Sequence, residues 1–239
     1  MKTLTEQLEL LGRGLYSVAE VARLVELSPS TVRRWVAGYQ FSYQTSRGRK
    51  TGSSRPVVSA EVPILGGRRA SSFVELVEIL VVKAFLSADL PMKTIRRVAR
   101  RAGDRLETAH PFAYRMFCTD GRDVYLEVIE ESTRGKELVG LAEGQYAFAS
   151  ILDPYLKQLD FDMETLLAIR WWPLGKSRAI VLDPQIAFGE PVIADTRLPV
   201  SAVLDALRAG ESRGDVERWF DLSPSQLEAA IEFGKKKAA

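Results

Sequence analysis

The chain has few residues that could bind a metal or form a disulfide, and no segment suited to crossing a membrane. Its 239 residues include one cysteine, Cys118, and one histidine, His110, which excludes a disulfide framework and a zinc site built from several Cys and His ligands. No apolar run reaches the roughly 20 residues of a transmembrane helix. Glu6 and Glu9 lie where a signal peptide would be apolar. The composition predicts a soluble, cytoplasmic protein of two or three domains without a metal or cofactor.

Acidic residues are missing from one long stretch. No Asp or Glu occurs between Glu26 and Glu61, although the whole chain has a formal charge of only +2. The stretch carries six basic residues: Arg33, Arg34, Arg47, Arg49, Lys50 and Arg55. A cationic block of this kind favours a polyanionic partner, most often nucleic acid. A solvated, disordered linker is the alternative interpretation.

The tetrapeptide Leu-Ser-Pro-Ser occurs at residues 27–30 and again at residues 222–225. In each copy the first serine suits a helix N-cap and the proline suits the first helical position, which predicts a helix-turn-helix near each end of the chain. Ser17 and Glu20 form a capping box for the helix before the first copy. In the helix after it, Val32, Trp35 and Val36 recur at inward-facing positions, and four residues are left outward as candidate DNA contacts: Ser30, Thr31, Arg33 and Arg34. An ordinary helical hairpin with a solvated arginine face is the alternative.

The segment after this helix predicts a β-hairpin with a basic tip. Aromatic residues alternate along residues 39–43, and two glycines, Gly48 and Gly52, lie in the basic stretch that follows. Directly after a recognition helix, this is the position of a wing that contacts phosphates or the minor groove. The candidate contacts in the hairpin are Tyr43, Arg47, Arg49, Lys50 and Arg55.

Residues 14–22 and 28–35 resemble the N-terminal winged helix of MerR-type regulators. The resemblance implies a DNA-binding module with a second helical pair, which matches the sequence from Ala88 to Arg101. The arginine face of that pair, with Arg96 and Arg97, would then brace a flanking phosphate, although a solvated basic face explains it equally well. The usual long dimerisation helix of MerR regulators is not predicted, because no heptad pattern is sustained.

The middle of the chain predicts a small β-sheet. Alternation favours strands at residues 112–118 and 124–129, joined by a hairpin at Asp120-Gly121. A helix is predicted around residues 148–156, followed by strands at residues 169–174 and 179–182. Trp171 and Trp172 are interpreted as core and sheet-face residues.

The C-terminal segment predicts three helices, beginning near Val200, Ser212 and Ser223. Val216, Trp219 and Phe220 are expected to be buried in the second helix. The outward face of the last helix is expected to consist of Ser225, Glu228, Ala229 and Glu232. Carboxylates there would repel phosphates, which favours a protein partner over DNA. The candidate partner contacts are Arg197, Glu228 and Glu232.

Residues 188–193 and 196–200, with Trp219-Phe220 and Leu222-Ser223, resemble a small homeodomain-like family common in antitoxins that pair with PIN-domain toxins. Together with the MerR-like start, the order of modules resembles a VapB-class antitoxin of a type II toxin–antitoxin system. The resemblance implies a repressor that binds operator DNA as a homodimer and neutralises a PIN-domain ribonuclease.

The sequence thus predicts a mainly α, α+β protein with three parts. Residues 1–110 form a winged helix-turn-helix domain with a second helical pair, residues 111–182 a middle α+β region, and residues 183–239 a homeodomain-like helical module. A MerR-like regulator that responds to a small ligand and a protein-interaction adaptor remain alternative functions. No catalytic residue is predicted, because the carboxylates lie at caps or on solvated faces and His110 lacks a partner at catalytic spacing.

Overall fold

The computed structural model describes residues 14–46, 48–62, 69–118, 120–133 and 141–238. They belong to two compact units. The N-terminal unit comprises the described residues of 17–71 and 75–152, and the C-terminal unit those of 1–16, 72–74 and 153–239. Helices predominate and strands are short, which confirms the predicted mainly α, α+β fold. The domain boundaries at 110/111 and 182/183 stay a prediction.

The helices and strands alternate irregularly along the chain. The helices are α1 (Val18–Val25), α2 (Pro29–Ala37), α3 (Phe73–Ser87), α4 (Met92–Leu106), α5 (Asp120–Thr133), α6 (Leu141–Leu156), α7 (Val200–Arg208), α8 (Arg213–Phe220) and α9 (Pro224–Ala238). The strands are β1 (Leu15–Ser17), β2 (Tyr39–Thr45), β3 (Gly48–Ser54), β4 (Ala70–Ser72), β5 (Leu159–Phe161), β6 (Ala168–Trp171), β7 (Ile180–Leu182) and β8 (Pro191–Ile193). No helix within the described ranges is long and apolar enough to cross a membrane.

Helices α1 and α2 form the predicted helix-turn-helix. The Ser17 hydroxyl accepts from the Glu20 N–H at 3.2 Å and the Glu20 carboxylate accepts from the Ser17 N–H at 2.7 Å, so the capping box is present. Helix α1 ends at Glu26, whose φ of 55° is left-handed. Lys83 on α3 donates to the Val25 carbonyl at 2.8 Å and pairs with Glu26, which places a cation at the negative end of α1.

The described residues of 112–133 form short 3-10 turns and a helix in place of the predicted β-hairpin. Pro111–Ala113 and Arg115–Cys118 are short 3-10 turns, and α5 starts at Asp120. Gly121 lies in the first turn of α5, where a Cβ atom would come within 2.1 Å of the Phe117 ring. The glycine therefore allows a close approach of an aromatic ring and does not make a turn between strands. The predicted helix at residues 148–156 is part of α6.

Five aromatic rings fill the core of the N-terminal unit. Phe85 on α3 contacts Phe112, Phe117, Tyr125 and Phe148, with ring centroids 5.7 to 6.5 Å apart. All five rings are buried. The residues come from α3, the two 3-10 turns, α5 and α6, so the cluster packs these elements against one another. The alternation of apolar residues in 112–129 had predicted strands for part of this region.

The C-terminal unit contains an antiparallel four-stranded sheet in the order β5-β6-β7-β8. Strand β7 lies within the predicted range 179–182, and β6 overlaps the predicted range 169–174 but begins and ends earlier. Trp171 is buried and donates to the Gln158 side chain at 3.2 Å, and half-buried Trp172 donates to Asp160 at 2.8 Å. Both tryptophans are thus core and sheet-face residues, as predicted.

Helices α7, α8 and α9 follow the sheet and repeat the capping pattern of the N-terminal unit. The Ser212 hydroxyl accepts from the Asp215 N–H at 3.2 Å, and the Ser223 hydroxyl accepts from the Gln226 N–H at 3.3 Å. Val216 is buried as predicted and Phe220 is half-buried, but two other predictions about burial are wrong here. Trp219 is 61% exposed, because it lies on the solvent side of the short helix α8, and Ala229 is buried because the inward face of α9 is wider than predicted.

Candidate functional site

The outward face of α2 carries the residues predicted to contact DNA. The Ser28 hydroxyl accepts from the Thr31 N–H at 3.1 Å and fixes the start of the helix. Val32, Trp35 and Val36 are buried, as their spacing predicts. Because they face inward, Ser30, Arg33 and Arg34 are exposed on the opposite side.

The two small polar residues near the start of α2 belong to its cap. The Ser28 hydroxyl lies 2.9 Å from the Ser30 hydroxyl and 2.8 Å from the Thr31 hydroxyl. Thr31 is half-buried, whereas Ser30 is exposed. A DNA contact by either residue stays a prediction. In such a contact the same hydroxyl would hydrogen-bond both to DNA and to the Ser28 hydroxyl of the cap.

Strands β2 and β3 form the hairpin predicted after α2, with Tyr39 opposite Ser54 and Thr45 opposite Gly48. The base of the hairpin is held against the end of α2. The Trp35 carbonyl accepts from the N–H groups of Val57 and Val58 at 2.9 and 3.2 Å. Gly38 has a φ of 71°, and a Cβ atom there would lie 2.4 Å from the Ser54 carbonyl oxygen. Glycine is therefore required for the hairpin to begin so close to the helix.

One face of the hairpin bears a row of exposed aromatic rings. Tyr39, Phe41 and Tyr43 are 42%, 43% and 47% exposed, and neighbouring ring centroids are 5.9 and 6.0 Å apart. The Arg34 guanidinium lies 5.7 Å from the Tyr39 ring centroid, which joins the row to α2. The sequence prediction named only Tyr43. The alternation along residues 39–43 places Tyr39 and Phe41 on the same face as Tyr43, so the same pattern also indicates these two rings.

The basic residues of the hairpin are exposed on both of its faces. Lys50 lies opposite Tyr43, on the aromatic face, and Arg49 lies opposite Gln44, on the other face. Arg55 is exposed just beyond β3. Arg47 lies outside the described residues. Either face of the hairpin can thus present a positively charged side chain to a polyanion.

The two arginines predicted on the second helical pair differ in their surroundings. The Arg96 guanidinium donates to the Arg55 carbonyl at 3.1 Å, which places α4 beside the base of the hairpin. Arg97 instead pairs with Glu131 on α5, as does Arg101 at 2.7 Å. A phosphate contact by Arg97 would compete with this ion pair, so Arg96 is the better placed of the two.

The residues predicted to bind a protein partner all lie in the C-terminal unit. Arg197 is exposed in a turn where the neighbouring Thr196 hydroxyl donates to the Ile193 carbonyl at 2.7 Å. Glu228 and Glu232 are exposed on α9, and each pairs with an arginine, Arg213 at 3.1 Å and Arg178 respectively. The outer face of α9 is therefore a mixed-charge surface and not a uniformly acidic one.

A strained loop between β7 and β8 exposes an aromatic residue that the sequence prediction did not single out. Ala187, Phe188 and Gly189 have successive φ values of 47°, 55° and 88°. The left-handed conformation costs a non-glycine residue about 1–2 kcal/mol. Phe188 is nevertheless 80% exposed, more than any other large apolar side chain that the structure describes.

His110 lies beside a buried carboxylate. Its Nδ1 atom is 3.1 Å from the Glu78 carboxylate, and the two side chains are 13% and 3% exposed. Burial raises the pKa of Glu78, and the opposing effect of His110 is smaller. Burial alone would lower the pKa of His110, but the hydrogen bond and charge of Glu78 raise it above its ordinary value. The pair therefore retains a proton to higher pH than the separate groups would.

This pair predicts a stability that falls as the pH rises. The folded chain binds more protons than the unfolded chain between the ordinary pKa of Glu78, 4.5, and the raised pKa of His110, which lies above 6.5. The contribution is complete at lower pH and is lost through that window. We expect the free energy of unfolding of the wild type to fall between pH 5.5 and pH 8.5 relative to that of the variant with both Glu78→Gln and His110→Gln, in which neither group titrates, measured by urea denaturation. A difference that grows with pH would contradict the assignment.

Two family models match the chain. Residues 14–99 match a family described as "Putative DNA-binding HTH domain", and residues 180–233 match one described as "Protein of unknown function (DUF433)". The first match contains α1, α2, the hairpin, α3 and all the residues predicted to contact DNA. The second contains the strained loop and most of α7 to α9. In the part of the chain that the structure describes, no group of three or more His, Cys, Asp or Glu side chains could hold a metal.

Similar proteins cover nearly the whole chain. One, named "Putative antitoxin VapB45" from Mycobacterium tuberculosis, is 28% identical over 91% of this chain and 92% of its own. Another, "Uncharacterized protein Rv2308" from the same organism, is 25% identical over 95% of this chain and 92% of its own. A crystal structure of Rv2018 from M. tuberculosis has a TM-score of 0.68 at 26% identity and covers 90% of this chain and 96% of that one. The predicted resemblance to VapB-class antitoxins is confirmed.

Proposed function

We propose that the chain is an antitoxin that represses transcription by binding operator DNA and that binds and silences a PIN-domain ribonuclease toxin. The observation that carries the proposal is the surface formed by α2 and the hairpin. Arg33 and Arg34 on α2 are exposed, and the hairpin that follows α2 adds exposed Arg49 and Lys50. No acidic residue interrupts this surface between Glu26 and Glu61. Such a basic surface suits binding to a DNA duplex, because the phosphates of both strands attract its positive charges.

The distribution of charge supports two partners of different chemistry. Residues 17–152 contain twenty Lys and Arg and fifteen Asp and Glu, an excess of five positive charges. Residues 153–239 contain eleven and fourteen, an excess of three negative charges. Operator DNA is attracted to the first set and repelled by the second, so the C-terminal unit is assigned the protein partner. A homodimer on a palindromic operator completes the proposal.

Co-expression tests the toxin half of the proposal. The full-length chain is expressed with the product of its neighbouring gene, and complex formation is measured by size-exclusion chromatography with light scattering. We expect a stable complex in which the ribonuclease activity of the partner is suppressed. A neighbouring product that forms no complex with the chain and retains its activity would refute toxin binding.

The variant with Arg33→Ala and Arg34→Ala serves as the matched control, because both arginines lie on the proposed DNA surface. This variant should still form the complex and suppress the ribonuclease, although it binds DNA from its own promoter weakly. If it loses both activities together while remaining folded, the two functions do not reside on separate surfaces.

A further inference from the structure

The loop at Phe188 has an unfavourable left-handed backbone, and burial of the Phe188 side chain does not compensate for this strain. Three successive residues are left-handed, and only the third, Gly189, is of a type that adopts this conformation without penalty. The Phe188 ring is 80% exposed, so its own packing contributes little that would offset the strain. Glycine or asparagine at this position would satisfy the backbone better. The fold by itself therefore does not explain the phenylalanine.

The loop is nevertheless held firmly on both sides of the ring. The Gly189 N–H donates to the Ile186 carbonyl at 2.9 Å and the Glu190 N–H donates to the Ala187 carbonyl at 3.0 Å. The Tyr16 hydroxyl donates to the Gly189 carbonyl at 2.8 Å. A Cβ atom at Gly189 would lie 2.4 Å from that hydroxyl oxygen, so the glycine allows the tyrosine to approach.

The residues before the ring are anchored in the sheet. Ile186 and Ala187 pack against the apolar cluster formed by Val181, Val192 and Ala194. The backbone on either side of Phe188 is thus fixed by packing and by hydrogen bonds, and the ring projects from it. A projecting aromatic ring on a fixed backbone loses little conformational entropy when a partner covers it.

We propose that Phe188 is the anchor residue with which the C-terminal unit binds its protein partner, by inserting into an apolar pocket. Buried aromatic anchors in pockets supply much of the binding energy of protein interfaces. Strain that the surrounding structure maintains at an exposed residue is typical of binding sites. The inference rests on the proposed toxin binding, to which it adds the contact residue and the chemistry of the surface it meets.

The charge around the ring defines the partner further. Glu190, two residues away, is exposed, and the sequence from residue 153 onwards has an excess of three negative charges. The partner therefore presents an apolar pocket whose rim carries Lys or Arg side chains. Nucleic acid does not fit this description, since it offers phosphates of the same sign as the loop.

Three variants of the full-length chain test the anchor. Phe188→Gly removes the ring and suits the left-handed backbone, Phe188→Tyr keeps an aromatic ring, and Met163→Ala removes another side chain of the C-terminal unit that is 75% exposed. Affinity for the purified product of the neighbouring gene is measured by isothermal titration calorimetry. We expect Phe188→Gly to raise the Kd at least about 30-fold, the usual effect of removing an interface hot spot. Phe188→Tyr and Met163→Ala should change the Kd less than about threefold.

Thermal unfolding separates binding from a structural role. Because glycine relieves the strain at residue 188, Phe188→Gly should melt at the same temperature as the wild type or up to about 4 °C higher. A variant that binds more weakly and yet is no less stable supports the anchor. A lower melting temperature would mean that the ring stabilises the fold, and it would overturn the inference.

The remaining outcomes are also distinct. If the wild type binds the toxin and Phe188→Gly binds it equally well, the anchor is refuted while the proposed function stands. If the wild type binds no toxin, the toxin half of the proposed function fails and the assigned partner fails with it. If Phe188→Gly instead converts a dimer to a monomer in light scattering, the ring contacts a second copy of this chain and the inference is overturned.

Discussion

The chain with Arg33→Ala and Arg34→Ala is expected to bind DNA from its own promoter at least about tenfold more weakly than the wild type. Both guanidinium groups are exposed on α2, opposite the buried Val32 and Trp35. Each phosphate contact that is lost releases about 0.9 fewer counterions, so the slope of log K against log salt should become less steep by about two. If one of the arginines reads a guanine, the loss is larger, because a bidentate base contact contributes about 1–3 kcal/mol.

The measurement is a fluorescence-anisotropy titration at three or more salt concentrations. Arg122→Ala is the matched control, since Arg122 is an exposed arginine on α5 and lies outside the proposed DNA surface. It should leave both the affinity and the salt slope unchanged. If the double variant behaves as Arg122→Ala does, α2 is not a recognition helix and the DNA half of the proposed function fails.

Phe85→Ala is expected to lower the free energy of unfolding by about 4 kcal/mol. The ring is fully buried, and it contacts four other aromatic rings from the two 3-10 turns, α5 and α6. Truncation removes its transfer free energy and leaves a cavity that the surrounding rings fill only in part. Since domains of ordinary stability have a free energy of unfolding of about 5–15 kcal/mol, the variant should lose at least about a quarter of its stability.

Urea denaturation followed by circular dichroism measures this loss. Phe41→Ala is the control for aromatic content, because Phe41 is 43% exposed on the hairpin of the same unit. It should cost less than about 1 kcal/mol. A cost below 1 kcal/mol for Phe85→Ala as well would show that the aromatic cluster is not the core of the N-terminal unit.

Local capping patterns predicted the two helix-turn-helix segments well. Ser17 with Glu20, Ser28 with Thr31, and Ser212 with Asp215 form hydrogen bonds across only three residues, so neighbouring side chains are enough to specify these helix ends. The outward position of Arg33 and Arg34 follows from the helical repeat of Val32, Trp35 and Val36 alone.

The alternation of apolar and polar residues wrongly predicted strands in a region that packs as helix. Between residues 112 and 129 the apolar residues fit both a strand and a helix, and Asp120-Gly121 suited a hairpin turn. The Phe117 ring lies over Gly121, and Tyr125 stacks on Phe85 of another helix. Those contacts join residues that are distant in the sequence, so no local pattern reveals them.

The sequence by itself determined the two capped helical modules, the acid-free basic stretch that begins within the first of them, and the resemblance to VapB-class antitoxins. These features depend on side chains a few residues apart, and for such residues the local backbone geometry alone determines which side chains are in contact. Only the tertiary structure decided that Asp120–Thr133 is a helix, that Glu78 is the partner of His110, and that Arg97 is paired with Glu131. It also decided that Phe188 is exposed on a left-handed loop, because the Tyr16 hydroxyl that holds the loop lies 173 residues from Gly189 in the chain.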